Sequence, residues 1–131
     1  MDWVQQTLAD FGRQLGLASF GLGTHGVAQL RLASGALLAV EPVRRGQADE
    51  VLVYFSQPLG FDAARLRRRA LEKVHYSNSG PYAVQIATRG NGPQSELLLA
   101  VRLPDRSFTP QTLAHAVDFL DRWFAELRDG R

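Results

Sequence analysis

The chain has no cysteine. Disulfide frameworks, thiolate nucleophiles and cysteine-based metal sites are therefore excluded, and the composition suits a reducing compartment. Lysine is nearly absent: Lys73 stands against fourteen arginines, a bias that a GC-rich genome produces as readily as function does. No apolar run approaches the roughly 18 residues that cross a bilayer, so no membrane partner is expected. The start, Met1-Asp2-Trp3-Val4-Gln5-Gln6, lacks the basic and apolar regions of a secretory signal, and none is expected. An excess of one charge is also missing. The net charge is +2, so nucleic-acid binding would have to come from local clustering.

What is present suffices for one domain. The 131 residues are 45% hydrophobic, which is ordinary for a soluble globular chain. Residues 1–131 are read as a single domain that buries about two thirds of its unfolded surface.

Hydrophobic periodicity predicts helix, three strands, helix, two or three strands, helix. A first helix over 2–15 starts at the N-cap Asp2 and puts Val4, Leu8, Phe11 and Leu15 on one face, with Gly16 as its stop. After a glycine-rich connector, a strand over 27–32 alternates Ala28, Leu30 and Leu32 with Gln29 and Arg31. Ala33-Ser34-Gly35 is a hairpin loop. A second strand over 36–41 is expected to end at Pro42, followed by a polar turn over 44–49 and an apolar, central strand over 51–55.

The second helix is expected to open at Asp62, with Phe61 stapled onto Leu66. Ala63, Leu66, Ala70 and Val74 form its narrow apolar stripe, beside Leu71. Arg65, Arg67, Arg68, Arg69 and Lys73 make it the most basic segment. Residues 77–81 break it. A strand over 82–88, a turn over 90–93 and an antiparallel strand over 95–103 follow. The last helix has Thr109 as N-cap, Pro110 at its first position, and a stripe of Leu113, Val117, Leu120, Phe124 and Leu127. Trp3, Trp123, Phe119 and Phe124 are read as core. Ala114, Phe119 and Trp123 lie off the main stripe, where aromatics also suit a partner surface.

No chemical constellation threads this framework. Gly21-Leu22-Gly23-Thr24-His25-Gly26 matches G-x-G-x-x-G, but a dinucleotide site needs a strand before it and a helix after it. Here a helix precedes and a strand follows, so the segment reads as a connector. Glu72-x-x-His75 and His115-x-x-Asp118 are fragments of a carboxylate–histidine site without further converging ligands. No enzyme, metal or cofactor is expected. The arginines at 65 to 69 are the one candidate for gripping phosphates. A solvated face, or an edge facing acids on a partner subunit, is the preferred reading of that run.

Beyond these elements the chain resembles the class I type III secretion chaperones of the Tir-chaperone (CesT-like) superfamily, and within it the SycN-type chaperones of the secretion gatekeeper. The resemblance is carried by Asp2-Trp3-Val4 with Leu8, Phe11 and Leu15-Gly16. It continues through the strands from Ala28 to Leu38, with Gln29-Leu30 and Ser34-Gly35. It ends in Glu96-Leu97-Leu98-Leu99-Ala100-Val101, Leu103, Asp105-Arg106-Ser107 and Leu113. It covers most of the chain as a degenerate pattern.

The resemblance implies a dimeric α+β fold, an antiparallel twisted sheet packed with helices. It implies a bacterial cytoplasmic protein that uses no nucleotide and binds the extended N-terminal segment of a secreted effector or gatekeeper. Cargo contacts are then expected from Val4, Leu8, Phe11, Leu30, Leu32 and Leu38. A dimer interface is expected from Leu66, Arg69, Ala70, Val74, Tyr82, Val84 and Ile86, with a second copy or with a second small chaperone. Members of the family are usually acidic and this chain is basic, which suits an acidic partner or cargo. The alternative is a small nucleic-acid-binding domain using Arg65, Arg67, Arg68 and Arg69. An enzyme built from acids that converge only in the fold is a third reading.

Overall fold

The computed structural model describes residues 2–45, 48–76, 82–90 and 94–129. Helix α1 spans Asp2–Gln14, β1 Ala28–Arg31, β2 Leu37–Arg45 and β3 Ala48–Pro58. Helix α2 spans Ala63–Tyr76, β4 Gln85–Arg89, β5 Glu96–Pro104 and α3 Pro110–Asp129. Short 3-10 turns at Gly60–Asp62 and Asp105–Ser107 lead towards α2 and α3. The expected order of elements is the observed one, and the class is α+β.

All five strands pair antiparallel, in the order β1-β2-β3-β5-β4. The strand read as central from its unbroken apolar run, β3, is the middle one. Cross-strand register builds the core in rows. Leu30, Leu38, Phe55, Leu99 and Ile86 stand opposite one another across all five strands. Ala28, Val40, Val53 and Val101 form the next row. Such direct pairs are the unit of sheet stabilisation.

Helix α3 lies on this surface with Leu113, Ala116, Leu120, Trp123, Phe124 and Leu127 buried, and Phe124 stacks on Phe55 with ring centroids 6.3 Å apart. Its start is as expected: the Thr112 amide donates to Thr109 Oγ1 at 3.1 Å, satisfying an otherwise unpaired donor. At its other end Arg128 donates to Gln57 Oε1 and to the Pro58 carbonyl, both at 3.0 Å. Lys73 of α2 reaches Glu126 of α3 at 3.2 Å and lies 5.3 Å from the centre of the Trp123 ring.

The end of α1 is a Schellman motif. Leu17 N–H donates to the Gly12 carbonyl at 2.8 Å and Gly16 N–H to the Arg13 carbonyl at 3.0 Å. Gly16 takes the required positive φ of 80°. Gly12 allows the connector to fold back, since a Cβ there would meet Phe20 Cβ at 2.7 Å. The G-x-G-x-x-G segment belongs to this connector, between α1 and β1.

Several expectations need correction. Pro42 does not end β2: it pairs with Val51 and the strand runs to Arg45. At that point β2 has passed the end of β1 and is an edge on that side, where a missing N–H is tolerated. The polar turn over 44–49 is mostly strand, with Arg44 opposite Asp49 and Arg45 opposite Ala48; residues 46–47 lie outside the described residues. The staple from Phe61 to Leu66 does not form: Phe61 is 95% exposed, because the 3-10 turn carries it away from the core. The Asp62 carboxylate accepts from Arg65 at 3.3 Å. Trp3 is not core but 41% exposed, with its ring edge-to-face on Phe108. Strand β4 starts at Gln85, later than expected, so Tyr82, Ala83 and Val84 precede it. The capping role of the Asp2 side chain, the break over 77–81 and most of the turn over 90–93 lie outside the described residues.

Candidate functional site

Among the described residues, three accessible surfaces stand out. Among the described residues no group of three or more His, Asp or Glu side chains is placed to hold a metal. Among the same residues, no helix is long and apolar enough to cross a membrane.

The first surface lies on the α1 side. A groove of about 280 Å³ runs between Phe11 of α1 and Leu15 beyond its end, Leu32, Ala33 and Ser34 after β1, and Ala114, Val117, Asp118 and Asp121 of α3. It borders β1, one of the two terminal strands of the sheet, whose outer backbone groups pair with no other strand among the described residues. A wider depression of about 680 Å³ lies between Gln5, Gln6 and Ala9 of α1 and residues 18–22 of the connector. Gln5 Oε1 accepts the Leu22 amide at 2.9 Å and holds the connector against the helix.

Of the residues expected to touch cargo, Leu30 and Leu32 are half-buried and adjoin the β1 edge. Phe11 lines the groove although only 3% of its surface is open. Val4, Leu8 and Leu38 are wholly buried in this chain and support the groove from within. Leu15, half exposed, lines the groove; the sequence reading put it on the apolar face of the first helix but not among the cargo contacts.

The second surface is the outer side of α2. Ala63, Leu66 and Ala70 turn inward, while Phe61, Ala64, Arg65, Arg68, Leu71, Glu72 and His75 form the exposed side. Leu71 is 58% exposed. Of the residues expected at a dimer interface, Leu66, Ala70 and Val84 are buried within the chain, whereas Arg69, Val74, Tyr82 and Ile86 keep accessible area. Tyr82 donates or accepts a 2.7 Å hydrogen bond with His115 Nδ1 and packs edge-on against Phe119. Partial burial raises its phenol above the usual 10.0. Phe61 was overlooked as a surface residue because its spacing to Leu66 matched a staple.

The arginines of α2 form only a partial array: Arg65, Arg68 and Arg69 share a side at i, i+3 and i+4, and Arg67 does not. Successive residues are turned by about 100° around a helix. Arg65 is taken up by Asp62, and Arg67 bends inward to donate to Ser95 Oγ at 3.2 Å.

The third surface is the helix-free face of the sheet. Ala39, Tyr54, Ala100 and Gln85 lie in one cross-strand row there. A trough of about 480 Å³ adds Glu41, Leu52, Leu98, Arg89 and Arg102 around them. Arg102 bridges Gln85 Oε1 at 2.9 Å and Glu50 at 3.5 Å. Desolvation raises the Tyr54 phenol above 10.0, the Glu41 carboxylate adds to the shift, and Arg89 opposes it.

No protein-family model matches the sequence, and no curated protein sequence matches it. Solved structures do match the fold. A chain of the Yersinia pestis type III secretion chaperone SycH in complex with a stable fragment of YscM2 superposes with a TM-score of 0.69 at 14% identity, covering 95% of this chain and 98% of that one. A chain of the ExsC–ExsE complex gives 0.69 at 18% identity, covering 97% and 92%. A chain of the HopA1–SchA chaperone–effector complex gives 0.64 at 14% identity, covering 95% and 92%. The fold of this chain, three helices on an antiparallel five-stranded sheet, is the fold found in these type III secretion chaperone and chaperone–effector structures.

Proposed function

We propose that this chain is a non-catalytic type III secretion chaperone of the bacterial cytoplasm. It binds the extended N-terminal segment of a secreted effector or gatekeeper protein and keeps that segment export-competent, with residues 1–131 acting as one chaperone domain. The observation that carries the reading is the near end-to-end match to chaperone structures solved with their protein partners.

The physics of the surfaces supports it. A terminal strand with unpaired backbone groups accepts an added extended strand, and flanking pockets take alternate side chains. A disordered segment loses entropy on binding, so it needs a long contact surface more than a deep pocket. Leu30, Leu32, Phe11 and Leu15 then form the wall the cargo touches, while Val4, Leu8 and Leu38 keep that wall in place. The dimer contact is proposed on α2 and β4, through Arg69, Val74, Tyr82 and Ile86. Leu66, Ala70 and Val84 position these elements, and the exposed Phe61 and Leu71 join the contact. The second subunit is another copy or a second small chaperone.

Co-expression of the tagged chain with candidate secreted proteins, followed by pull-down and light scattering, tests the reading. The expected result is a dimer that retains one secreted N-terminal segment. A protein that stays monomeric and retains none overturns it. The match to chaperone structures favours this reading over the nucleic-acid alternative, and oligonucleotide titration is expected to show no salt-dependent binding.

A further inference from the structure

The groove between α1, the loop after β1, and α3 carries a sign opposite to that of the chain. The protein is net positive, yet the rim of this groove is Asp118 and Asp121 of α3, both exposed. Asp118 is shared with Arg122 at 3.3 Å. Asp121 has no hydrogen-bond or ion-pair partner among the described residues. Arginines on neighbouring elements are engaged elsewhere: Arg13 is paired with Asp10, and Arg31 donates to the Gly35 carbonyl. The walls between the loop and the rim are apolar, from Phe11, Leu15, Leu32 and Val117.

These features select one kind of occupant. A space of about 280 Å³ is at the small end of the roughly 300–1,000 Å³ typical of small-molecule pockets. It suits one anchoring side chain of a longer segment. An aliphatic anchor gains by leaving water, but its arrival also strips water from the rim carboxylates. An unpaired carboxylate is penalised by that desolvation and a paired one is not. Acidic or purely apolar segments are thus disfavoured, and an anchor accompanied by a cation is favoured.

We propose that the groove recognises an aliphatic residue of the cargo that has an arginine or lysine within two positions of it, placed to meet Asp121 and Asp118. The proposal rests on the chaperone reading and adds the chemistry of the bound segment. It also divides the charge of the molecule: cargo meets an acidic rim here, while the arginine-rich helix α2 is on a separate surface.

The test is selection of a displayed random short-peptide library on the immobilised full-length chain, followed by fluorescence anisotropy with a synthetic copy of the enriched peptide. The expected consensus is Leu, Ile, Val or Met within two positions of Arg or Lys. Exposed ion pairs are worth little individually, so Asp118→Asn/Asp121→Asn is expected to weaken the peptide about fivefold. High salt is expected to produce the same loss in the parent protein only. Leu15→Asp is expected to abolish the binding.

A consensus with acidic or uncharged neighbours, binding indifferent to these variants, or no enriched sequence overturns the proposal. Its failure is separable from that of the chaperone reading. A chain that still retains a secreted segment in co-expression, yet is indifferent to Asp121→Asn, keeps its chaperone role and loses this specificity.

Discussion

Replacing Leu15 by alanine, beside Leu8 by alanine, separates binding from folding on the cargo side. Leu15 has 50% of its surface exposed and Leu8 has none. Full burial of a leucine side chain is worth about 1.5–3 kcal/mol. Leu15 has gained about half of that on folding, leaving about 1 kcal/mol for a bound segment to recover, or roughly fivefold in Kd. Leu15→Ala is therefore expected to weaken cargo binding about fivefold and to lower Tm by only about 4 °C. Leu8→Ala leaves a cavity in the core, costs about 2–5 kcal/mol, and lowers Tm by roughly 8–20 °C. Titrated below its own transition, it is expected to bind the co-purified segment like the parent protein. Differential scanning fluorimetry gives the Tm values and anisotropy of the labelled segment gives Kd. The reasoning is refuted if Leu15→Ala leaves Kd unchanged, or if folded Leu8→Ala binds as poorly as Leu15→Ala.

Three other outcomes are expected. Leu71→Asp puts a charge on the exposed apolar side of α2 and is expected to shift the protein from dimer to monomer in light scattering, with Tm falling only by the stabilisation that association supplied; an unchanged mass excludes this side of α2 from the interface. Thr109→Ala removes the acceptor of the Thr112 amide and is expected to cost about 1 kcal/mol in urea denaturation, with serine restoring it. Tyr54 and Tyr82 hold their protons more tightly folded than unfolded. The unfolded chain then releases protons first as pH rises past the ordinary 10.0, so their contribution is complete below that pH and is lost above it. Tyr54→Phe is expected to flatten the alkaline fall in stability; an unaltered alkaline limb counts against the shift at that phenol.

The order of elements was legible because each carries a local signature. The Thr109-Pro110 start and the Gly16 stop are short-range chemistry, and the observed caps follow them. The alternation in β1 reports one-sided burial, and the unbroken apolar run in β3 reports its central place, although Leu52 and Tyr54 face the helix-free side and stay half-buried. Even so, local rules misread Pro42, because its tolerance depends on β1 having already ended beside it. They misread Phe61 for a similar reason, since a staple spacing says nothing about the direction in which a 3-10 turn points the ring.

The site divides along the same line. By itself the sequence determined that the chain is α+β, that it contains no cysteine chemistry, and that its helices have apolar stripes to bury. Which apolar residues stay accessible was decided only by tertiary structure. Leu8 and Leu15 share the predicted helical stripe, yet Leu8 is closed in the core and Leu15 is left at a groove mouth, because α1 ends at Gln14, between them. Asp118 stood out in the sequence only through His115-x-x-Asp118, and Asp121 not at all, whereas in the fold the loop after β1 brings Leu32 and Ser34 opposite both. Helical periodicity and capping act within a few residues, so they are written in the chain; a groove is a relation between segments more than eighty residues apart, and only packing creates it.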